Sequence, residues 1–390
     1  MAPSDLVVSL DVDETAVLPE TPSVEALLAS PDSCRTQLLP KIQLPASALS
    51  KGTVGAAGGV TDSDKWDPDP IITMRSVHLF KIRGAHYFPD YGDVIDRQGR
   101  AMRSSMGQAS YVTPDLLMLP HIQRRDGQIV FSPPQQSPQL PCAAVTMPWG
   151  ARHNYGHFVI DCLSSIPCLQ GLDGLPALDW VFPTLQPWHR DHLRLLDVSP
   201  VELAHGHVFV EELFFTNCMQ TFLQSPNRNL RLVPDRQRAA LGCGHGGNRK
   251  IYLSRRGVPK RTLLSEERLE SILIDRGFEI VQAQTLSVAD QIALFASASV
   301  VVGSRGAAFA NALYCAPGTT IVVVEPRPAD LVWLRNICVM MGLRWAPYFC
   351  DSQAPEKVVV HGGIARPTIG ITYDIDFDDF LAHLDKVVGH

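Results

Sequence analysis

The stretch of residues 298–326 constrains the fold of this chain more than any other. It reads ASVVVGSRGAAFANALYCAPGTTIVVVEP, in which two short β-branched runs enclose a glycine-rich turn and a helix-like segment. Apolar runs without polar alternation are typical of strands that are buried on both faces of a parallel sheet. The stretch therefore predicts a strand–turn–helix–strand unit of an open α/β sheet.

Two polar features of this stretch predict a ligand site. The turn at residues 303–306 precedes a predicted helix that starts at Ala307, and the free N–H groups of a helix start attract phosphate. Glu325 follows the second predicted strand, and open α/β sheets bind ligands at the carboxyl ends of their strands. The turn lacks the patterns G-x-G-x-x-G and G-x-x-x-x-G-K-[ST], so an ordinary strand–helix turn remains the alternative.

The second half of the chain alternates strand and helix patterns. Predicted strands cover residues 250–253, 278–281 and 344–348, and predicted helices follow Ser265 and Ser287 and cover residues 331–341. This alternation predicts a parallel sheet with right-handed crossover connections.

Three arginines follow the first of these strands: Arg255, Arg256 and Arg261. Guanidinium groups bind phosphate oxygens in pairs, so arginines at the ligand edge of the sheet suit a nucleotide diphosphate. Arginines that merely keep the surface soluble would give the same pattern. We favour the nucleotide, because the arginines, the helix start and Glu325 are all expected at one edge.

The second informative stretch covers residues 152–169 in the first half. Asn154, His157 and Asp161 fall at positions i, i+3 and i+7, on one stripe of a predicted helix that is otherwise largely apolar. A polar stripe on a buried helix indicates that it faces a cleft. The alternative is that His157 and Asp161, at i and i+4, satisfy each other inside a core.

The N-terminal segment differs from the rest in composition. Residues 1–70 mix proline, serine, glycine and an excess of acidic residues without a sustained period, which predicts a largely disordered extension that is dispensable for folding. The remaining chain is nearly neutral although the net charge is −6, and this argues against nucleic acid as a partner. A length of 390 residues predicts two domains besides this extension.

Nine scattered cysteines without C-x-x-C predict reduced, mostly buried thiols. The N-terminus shows no secretory signal, and no run approaches the ~18 apolar residues of a membrane span. We therefore expect a cytoplasmic protein without a transmembrane segment, with peripheral attachment at the inner membrane face as an alternative.

Two patterns resemble metal sites only superficially. The sequence D-x-D occurs at residues 11–13 and 67–69 without an apolar strand before it, and we do not expect it to bind metal. His205-Gly206-His207 lacks a third ligand, so it predicts a loop with two exposed histidines.

Several of these segments together resemble a known family. The words NYGHFVID from Asn154 and YLSRR from Tyr252, then GSRGAAFAN from Gly303 with Pro317-Gly318-Thr319 and Glu325, are similar to glycosyltransferase family 61, in its bacterial capsular and exopolysaccharide branch. The resemblance covers residues 77–348. It implies an α/β fold of the GT-B type, with two Rossmann-like domains that face a cleft, the acceptor in the first and a nucleotide-sugar in the second. It also implies transfer with inversion and without a required metal.

The resemblance supplies roles for individual residues. It implies that Arg255, Arg261, Gly306 and Asn311 hold the diphosphate and sugar and that Glu325 holds the nucleoside. Together with the arginines and the turn, the candidate donor-binding residues are Arg255, Arg256, Arg261, Ser304, Arg305, Gly306, Asn311 and Glu325. The family usually has histidine in the pattern G-x-H-G-A where this chain has Arg305, and arginine can bind phosphate but cannot act as a base.

The catalytic base must therefore come from elsewhere. Inverting transfer needs a group that takes a proton from the acceptor hydroxyl and positive charge that stabilises the leaving diphosphate. Asp161 and His157 are the candidates for the base; we favour Asp161, with His157 orienting the substrate, and we assign Asn154 to the acceptor side.

These inferences combine into one prediction. The extension covers residues 1–70, the acceptor-side domain 71–242, the nucleotide-sugar domain 243–370 and an amphipathic C-terminal helix 371–390. The chain is expected to transfer a sugar from a nucleotide-sugar to a glycan or lipid-linked glycan in polysaccharide biosynthesis, without a cofactor or metal. A catalytically silent nucleotide-sugar-binding protein would not need the His157/Asp161 stripe, and a nucleotide-dependent oxidoreductase would need the missing dinucleotide glycine pattern.

Overall fold

The computed structural model is a mixed α/β structure. It describes residues 5–44, 72–102, 119–203, 206–220, 227–258, 260–326, 333–353, 359–361, 364–366 and 370–388. The chain divides into two compact units. Unit 1 comprises Met1–Ile42 and Met74–Gln237, and unit 2 comprises Gln43–Thr73 and Arg238–His390.

Fourteen strands lie before residue 217 among the described residues. They are β1 Leu6–Val7, β2 Ser9–Val12, β3 Cys34–Leu39, β4 Ile42–Leu44, β5 Ile72–Met74, β6 Val77–Phe88, β7 Asp93–Ile95, β8 Arg100–Met102, β9 Ile122–Arg125, β10 Gln128–Phe131, β11 Gln139–Val145, β12 Asp179–Pro183, β13 Pro200–Leu203 and β14 Val208–Thr216.

Unit 1 is built on a mixed sheet. Its strand order is β13-β12-β11-β14-β6-β7-β8-β2, and β3 also pairs with β6. The strands β13, β12, β11 and β14 run parallel to their neighbours in this group, whereas β14 and β6 form a long antiparallel pair. Phe80 on β6 and Phe215 on β14 stack with ring centroids 5.0 Å apart in the apolar core.

The N-terminal segment differs from its predicted disorder where the structure describes it. Strand β3 pairs antiparallel with β6, and the buried side chains of Leu27 and Cys34 pack against Leu79 and Phe214 of the sheet. Composition missed this contact because β3 and the helix before it are too short to show a period of their own. Residues 45–71, which include the second D-x-D pattern, lie outside the described residues.

The helices of unit 1 are mostly short. They are α1 Glu14–Val17, α2 Val24–Ala29, α3 Tyr155–His157, α4 Ser165–Gln170, α5 Pro187–Arg194 and α6 Leu232–Leu241, which continues into unit 2. Between α3 and α4 the chain forms a π-helix, Phe158–Cys162, in which the Leu163 N–H donates to Phe158 O at 3.0 Å. The predicted single helix over residues 152–169 is therefore a short α-helical start, a π-helix and a second α-helix.

Unit 2 contains the predicted alternation of strands and helices. Its elements are β15 Arg249–Leu253, β16 Thr262–Leu263, α7 Glu266–Asp275, β17 Glu279–Val281, α8 Val288–Ala296, β18 Ala298–Ser304, β19 Thr320–Pro326, α9 Trp333–Met341, β20 Arg344–Cys350, β21 Ser352–Gln353, β22 Val359–His361, β23 Ile364–Arg366, β24 Thr372–Tyr373 and α10 Phe377–Val388. The segment Ala307–Tyr314, predicted as a helix, is a 3-10 helix.

The five-stranded sheet of unit 2 has the order β17-β15-β18-β19-β20, and every neighbouring pair is parallel. The parallel sheet predicted from the alternation is thereby confirmed. Strands β18 and β19 are buried on both faces because helices and loops cover the sheet, and this accounts for their uninterrupted apolar runs. The N-cap predicted at Ser287 is present, since its side chain accepts from the Asp290 N–H.

The C-terminal segment returns to the body of unit 2. Strand β24 lies between β16, to which it is parallel, and β21, to which it is antiparallel. The amphipathic helix α10 buries Phe380, Leu384 and Val387 in the same apolar cluster as Tyr252 and Tyr348. Across the part of the chain that the structure describes, no helix is both long and apolar enough to cross a membrane.

Candidate functional site

Arg255 follows the carboxyl end of β15 and is held by two hydrogen bonds. Its backbone N–H donates to Glu266 Oε1 at 2.5 Å, and its Nη2 donates to the carbonyl of Lys260 at 2.5 Å. Glu266 Oε1 also accepts from the Tyr252 hydroxyl at 3.2 Å, so the first residue of α7 fixes the turn that carries Arg255. The Arg255 Nε is buried and has no hydrogen-bond partner in the part of the chain that the structure describes.

Gly306 lets the Arg255 guanidinium lie directly on the glycine-rich turn. A Cβ atom at this position would lie 2.2 Å from Arg255 Nη1 and 3.3 Å from its Cζ. The backbone of Gly306 is extended, with φ −168°, so the requirement for glycine is one of space rather than of backbone conformation. The turns after β15 and β18, which are neighbouring parallel strands, therefore meet at this arginine.

Arg261 adds a second guanidinium, which is partly buried. Its Nε also lacks a hydrogen-bond partner, and its backbone has a φ of 56°, which is unusual for a residue with a side chain. Burial, together with repulsion from Arg255 and Arg305, lowers the pKa of Arg261 to about 10. Three arginines therefore lie close enough to repel one another.

Arg305 and Glu325 form an ion pair within the same region. Arg305 Nη1 lies 3.3 Å from Glu325 Oε2, and both side chains are almost completely buried. Because parallel strands β18 and β19 end side by side, the residue after β18 meets the penultimate residue of β19. Glu325 is thus engaged by a cation, and its predicted contact with the nucleoside stays a prediction.

Two hydroxyl groups complete the cluster. Ser304 and Tyr373 are each 2% exposed, and among the described residues neither Ser304 Oγ nor the Tyr373 hydroxyl has a hydrogen-bond partner of normal geometry. Sequence reasoning singled out Ser304 but missed Tyr373, which lies in the short strand β24 far along the chain. No periodicity or motif in the sequence marks this tyrosine.

The remaining predicted donor residues have partners elsewhere in the fold. Arg256 is half exposed and its Nη2 lies 3.0 Å from Glu270 Oε2 on α7. The Asn311 Nδ2 donates to Gln291 Oε1 at 2.8 Å in the core, between the 3-10 helix and α8. The structure thus brings together Arg255, Arg261, Ser304, Arg305, Gly306 and Glu325, but it turns Arg256 towards α7.

In unit 1, His157 and Asp161 form a hydrogen-bonded pair. The distance from His157 Nδ1 to Asp161 Oδ2 is 2.8 Å, across the junction of α3 and the π-helix. The Asp161 side chain is 2% exposed and that of His157 is 12% exposed. A carboxylate on Nδ1 favours the tautomer that carries its proton there and leaves Nε2 as the basic nitrogen.

Asn154 has a structural role that the predicted stripe did not include. Its Oδ1 accepts from the N–H of Gly156 at 2.9 Å and from that of His157 at 3.4 Å, so it caps the start of α3. Only His157 and Asp161 therefore lie on the predicted polar stripe of the helix, because Asn154 comes before the helix starts. Its assignment to the acceptor side stays a prediction.

The prediction of two exposed histidines at residues 205–207 is wrong for His207. This side chain is 6% exposed, and its Nε2 lies 2.9 Å from His86 Nδ1 while its Nδ1 lies 2.8 Å from Ser137 Oγ. The strand β14 that follows it pairs with β6, which carries His86, and this pairing draws His207 into the sheet. His205 lies outside the described residues, and within those residues no three histidine, cysteine, aspartate or glutamate side chains are grouped as metal ligands.

Comparison with known proteins identifies the region that contains both clusters. Residues 155–322 match the family model Glycosyltransferase 61. This chain is a glycosyltransferase. The matched region spans less than half of the chain and contains His157, Asp161 and the arginine cluster, whereas Glu325 and Tyr373 lie beyond its end. No curated protein matches the chain.

Proposed function

We propose that this glycosyltransferase transfers a sugar with inversion from a nucleotide-sugar whose diphosphate binds unit 2. The observation that carries the proposal is the cluster of Arg255, Arg261 and Arg305, in which Arg305 is buried and the other two side chains are partly buried. Among the described residues, the Nε atoms of Arg255 and Arg261 have no hydrogen-bond partner, and the Glu325 carboxylate pairs with Arg305. A buried charge without a counter-charge is unfavourable, so the cluster suits an anion that carries two or more negative charges.

The leaving diphosphate needs this positive charge most. Negative charge develops on the diphosphate as the glycosidic bond breaks, and donors that are already oriented stabilise it without reorganisation. Arg255 is held in place by Glu266 and Lys260, and Arg261 by its position between β16 and the cluster. We assign the diphosphate to Arg255, Arg261 and Ser304 and propose that no metal is required.

For the base in unit 1 we assign His157 rather than Asp161, which the sequence alone favoured. Asp161 is almost fully buried and its Oδ2 is engaged by His157 Nδ1, whereas the imidazole is the more exposed member of the pair. An aspartate that holds a histidine in one tautomer and stabilises the imidazolium is a common arrangement for general base catalysis. Asp161 is then a positioning residue.

The wider setting follows from the resemblance in sequence. We propose a GT-B arrangement of two Rossmann-like domains, a glycan or lipid-linked glycan as the acceptor, and a role in bacterial polysaccharide biosynthesis. The protein would act in the cytoplasm or at the inner membrane face. We further propose that residues 71–242 form the acceptor-side domain and residues 243–370 the nucleotide-sugar domain.

Calorimetric titration with UDP, GDP, dTDP and CMP, in EDTA and in MgCl₂, tests the donor side. Arg255→Ala should weaken the best nucleoside diphosphate by about 10- to 100-fold, because a hydrogen bond to a charged group contributes about 1.5–3 kcal/mol. Arg256→Ala is the matched control. It also removes one arginine charge, but the Arg256 side chain pairs with Glu270 on α7 and not with the cluster. Equal losses in both variants, or binding that disappears in EDTA, would contradict the proposed metal-free site.

Turnover with the bound donor tests the base. His157→Gln and Asp161→Asn should both keep nucleotide affinity, and His157→Gln should lower turnover by ~10²-fold or more, the range for removal of a general base. Asp161→Asn should lower it less. A larger loss for Asp161→Asn than for His157→Gln would return the base to Asp161.

A further inference from the structure

Tyr373 in unit 2 has a buried hydroxyl that its packing alone does not explain. Its ring lies in the apolar cluster with Tyr252, Val302 and Tyr348, and the side chain is 2% exposed. Among the described residues, the hydroxyl at the other end has no hydrogen-bond partner of normal geometry. A buried hydroxyl without a partner is unfavourable, so native structures rarely retain one unless it serves a ligand or a bound water.

The neighbours of this hydroxyl belong to the diphosphate site proposed above. Burial raises the pKa of Tyr373, while the neighbouring Ser304 side chain and the positive charge of Arg255 act in the opposite direction. Ser304 Oγ is likewise buried, and within the part of the chain that the structure describes it has no hydrogen-bond partner of normal geometry. The phenol stays protonated at neutral pH and can therefore donate to an anion.

The backbone ties Tyr373 to Arg261. Strand β24 runs parallel to β16, which begins directly after Arg261, with Thr262 opposite Thr372 and Leu263 opposite Tyr373. The Leu264 N–H donates to the carbonyl of Tyr373 at 2.9 Å. The C-terminal segment thus carries the tyrosine to the arginine cluster and holds the turn of Arg261 at the same time.

We propose that the Tyr373 hydroxyl donates a hydrogen bond to a diphosphate oxygen of the donor, together with Ser304, Arg255 and Arg261. The inference rests on the proposed function, and it extends the donor site to a strand that lies outside the region matching the family. It makes the C-terminal segment part of the binding site rather than only a support for the sheet.

The test compares Tyr373→Phe with Tyr348→Phe. Tyr348 packs in the same apolar cluster, but its hydroxyl donates to the carbonyl of Asp376 at 3.4 Å. Each protein is titrated with inorganic pyrophosphate and with inorganic phosphate, in whichever of EDTA or MgCl₂ gives tighter binding to the unsubstituted chain. The melting temperature is measured without ligand.

Tyr373→Phe should bind pyrophosphate about 10- to 100-fold more weakly, since it loses one hydrogen bond to a charged group. Its ligand-free melting temperature should stay the same or rise, because the hydroxyl has no partner to lose. Tyr348→Phe should bind pyrophosphate within about twofold of the unsubstituted chain, as expected for a hydroxyl that makes a weak bond outside the site.

Other outcomes overturn the inference. Equal pyrophosphate affinity in Tyr373→Phe, or a melting temperature that falls further than in Tyr348→Phe, would assign the hydroxyl a structural role or none. An unsubstituted chain that binds no pyrophosphate also refutes it. Where the nucleoside diphosphate still binds in an Arg255-dependent manner, the proposed function survives and only this inference fails; loss of both refutes the two together.

Discussion

Gly306→Ala should weaken diphosphate binding through Arg255, without any direct contact between the new methyl group and the ligand. The added Cβ would lie 2.2 Å from Arg255 Nη1, closer than Cβ atoms approach other heavy atoms in proteins. The guanidinium must therefore move by about 1 Å or more to reach van der Waals contact. Its hydrogen bond to the Lys260 carbonyl, now 2.5 Å, would be lost or lengthened.

The size of the effect follows from this displacement. Charge-assisted hydrogen bonds have donor–acceptor distances of about 2.7–2.9 Å. A shift of this size therefore removes most of the hydrogen bonding between the Arg255 guanidinium and the diphosphate, which contributes about 1.5–3 kcal/mol. We expect Gly306→Ala to bind a nucleoside diphosphate about 10- to 100-fold more weakly, as measured by calorimetry. The fold should be retained, because the displaced group is the end of a flexible side chain and the backbone at Gly306 is extended.

A double-mutant cycle with Arg255→Ala isolates the mechanism. Once the arginine is gone, Gly306→Ala meets no guanidinium and should leave affinity unchanged, while stability stays equal or rises by about 0.4–1 kcal/mol from the smaller entropy of the unfolded chain. Gly244→Ala is the control for the substitution itself, because nothing lies within 4 Å of its Cβ position. The reasoning is refuted if Gly306→Ala weakens binding equally with and without Arg255.

Two further predictions concern unit 1. Burial lowers the pKa of His86 and His192 to about 4 and that of His189 and His207 to about 3, so these imidazoles are neutral in the folded state. In the unfolded chain these histidines have the ordinary pKa near 6.5 and are protonated below that pH, whereas in the folded chain they stay neutral. Stability is therefore highest above pH 6.5 and should fall as the pH drops from 6.5 to 4, by up to about 1.4 kcal/mol per pH unit for each histidine; an unchanged urea midpoint between pH 7 and pH 5 would argue against buried neutral histidines. A chain that starts at Pro70 should melt at a lower temperature than the full chain, because it loses the pairing of β3 with β6 and exposes Leu79 and Phe214, each of which contributes about 1.5–3 kcal/mol by burial. Identical melting curves for the shortened and the full chain would instead support the prediction from composition that this segment is dispensable for folding.

The sequence by itself determined the sheet of unit 2. Strands β18 and β19 are short, apolar and β-branched, and turn residues and helix caps lie at their ends. Residues that are close in sequence are therefore enough to predict that these segments form strands. The same local logic places Arg255 and Arg305 after strands that end at one edge. A parallel sheet aligns those ends whatever the details of packing.

Local pattern also located the pair in unit 1 without its geometry. His157 and Asp161 are four residues apart, which puts them on one side of a helix of any common type. The π-helix and the burial of Asp161 decide which of the two is exposed. Those features depend on how the segment packs, and the spacing alone does not encode them.

Only the tertiary structure decided the contacts between residues distant in sequence. Tyr373 reaches the arginine cluster because β24 pairs with β16, and Arg305 meets Glu325 because two parallel strands end in register. Arg256 turns to α7 although it is adjacent to Arg255, since successive residues after a strand point in different directions. Periodicity reports which face of an element is buried, but the partner on that face is selected by the pairing of the whole chain.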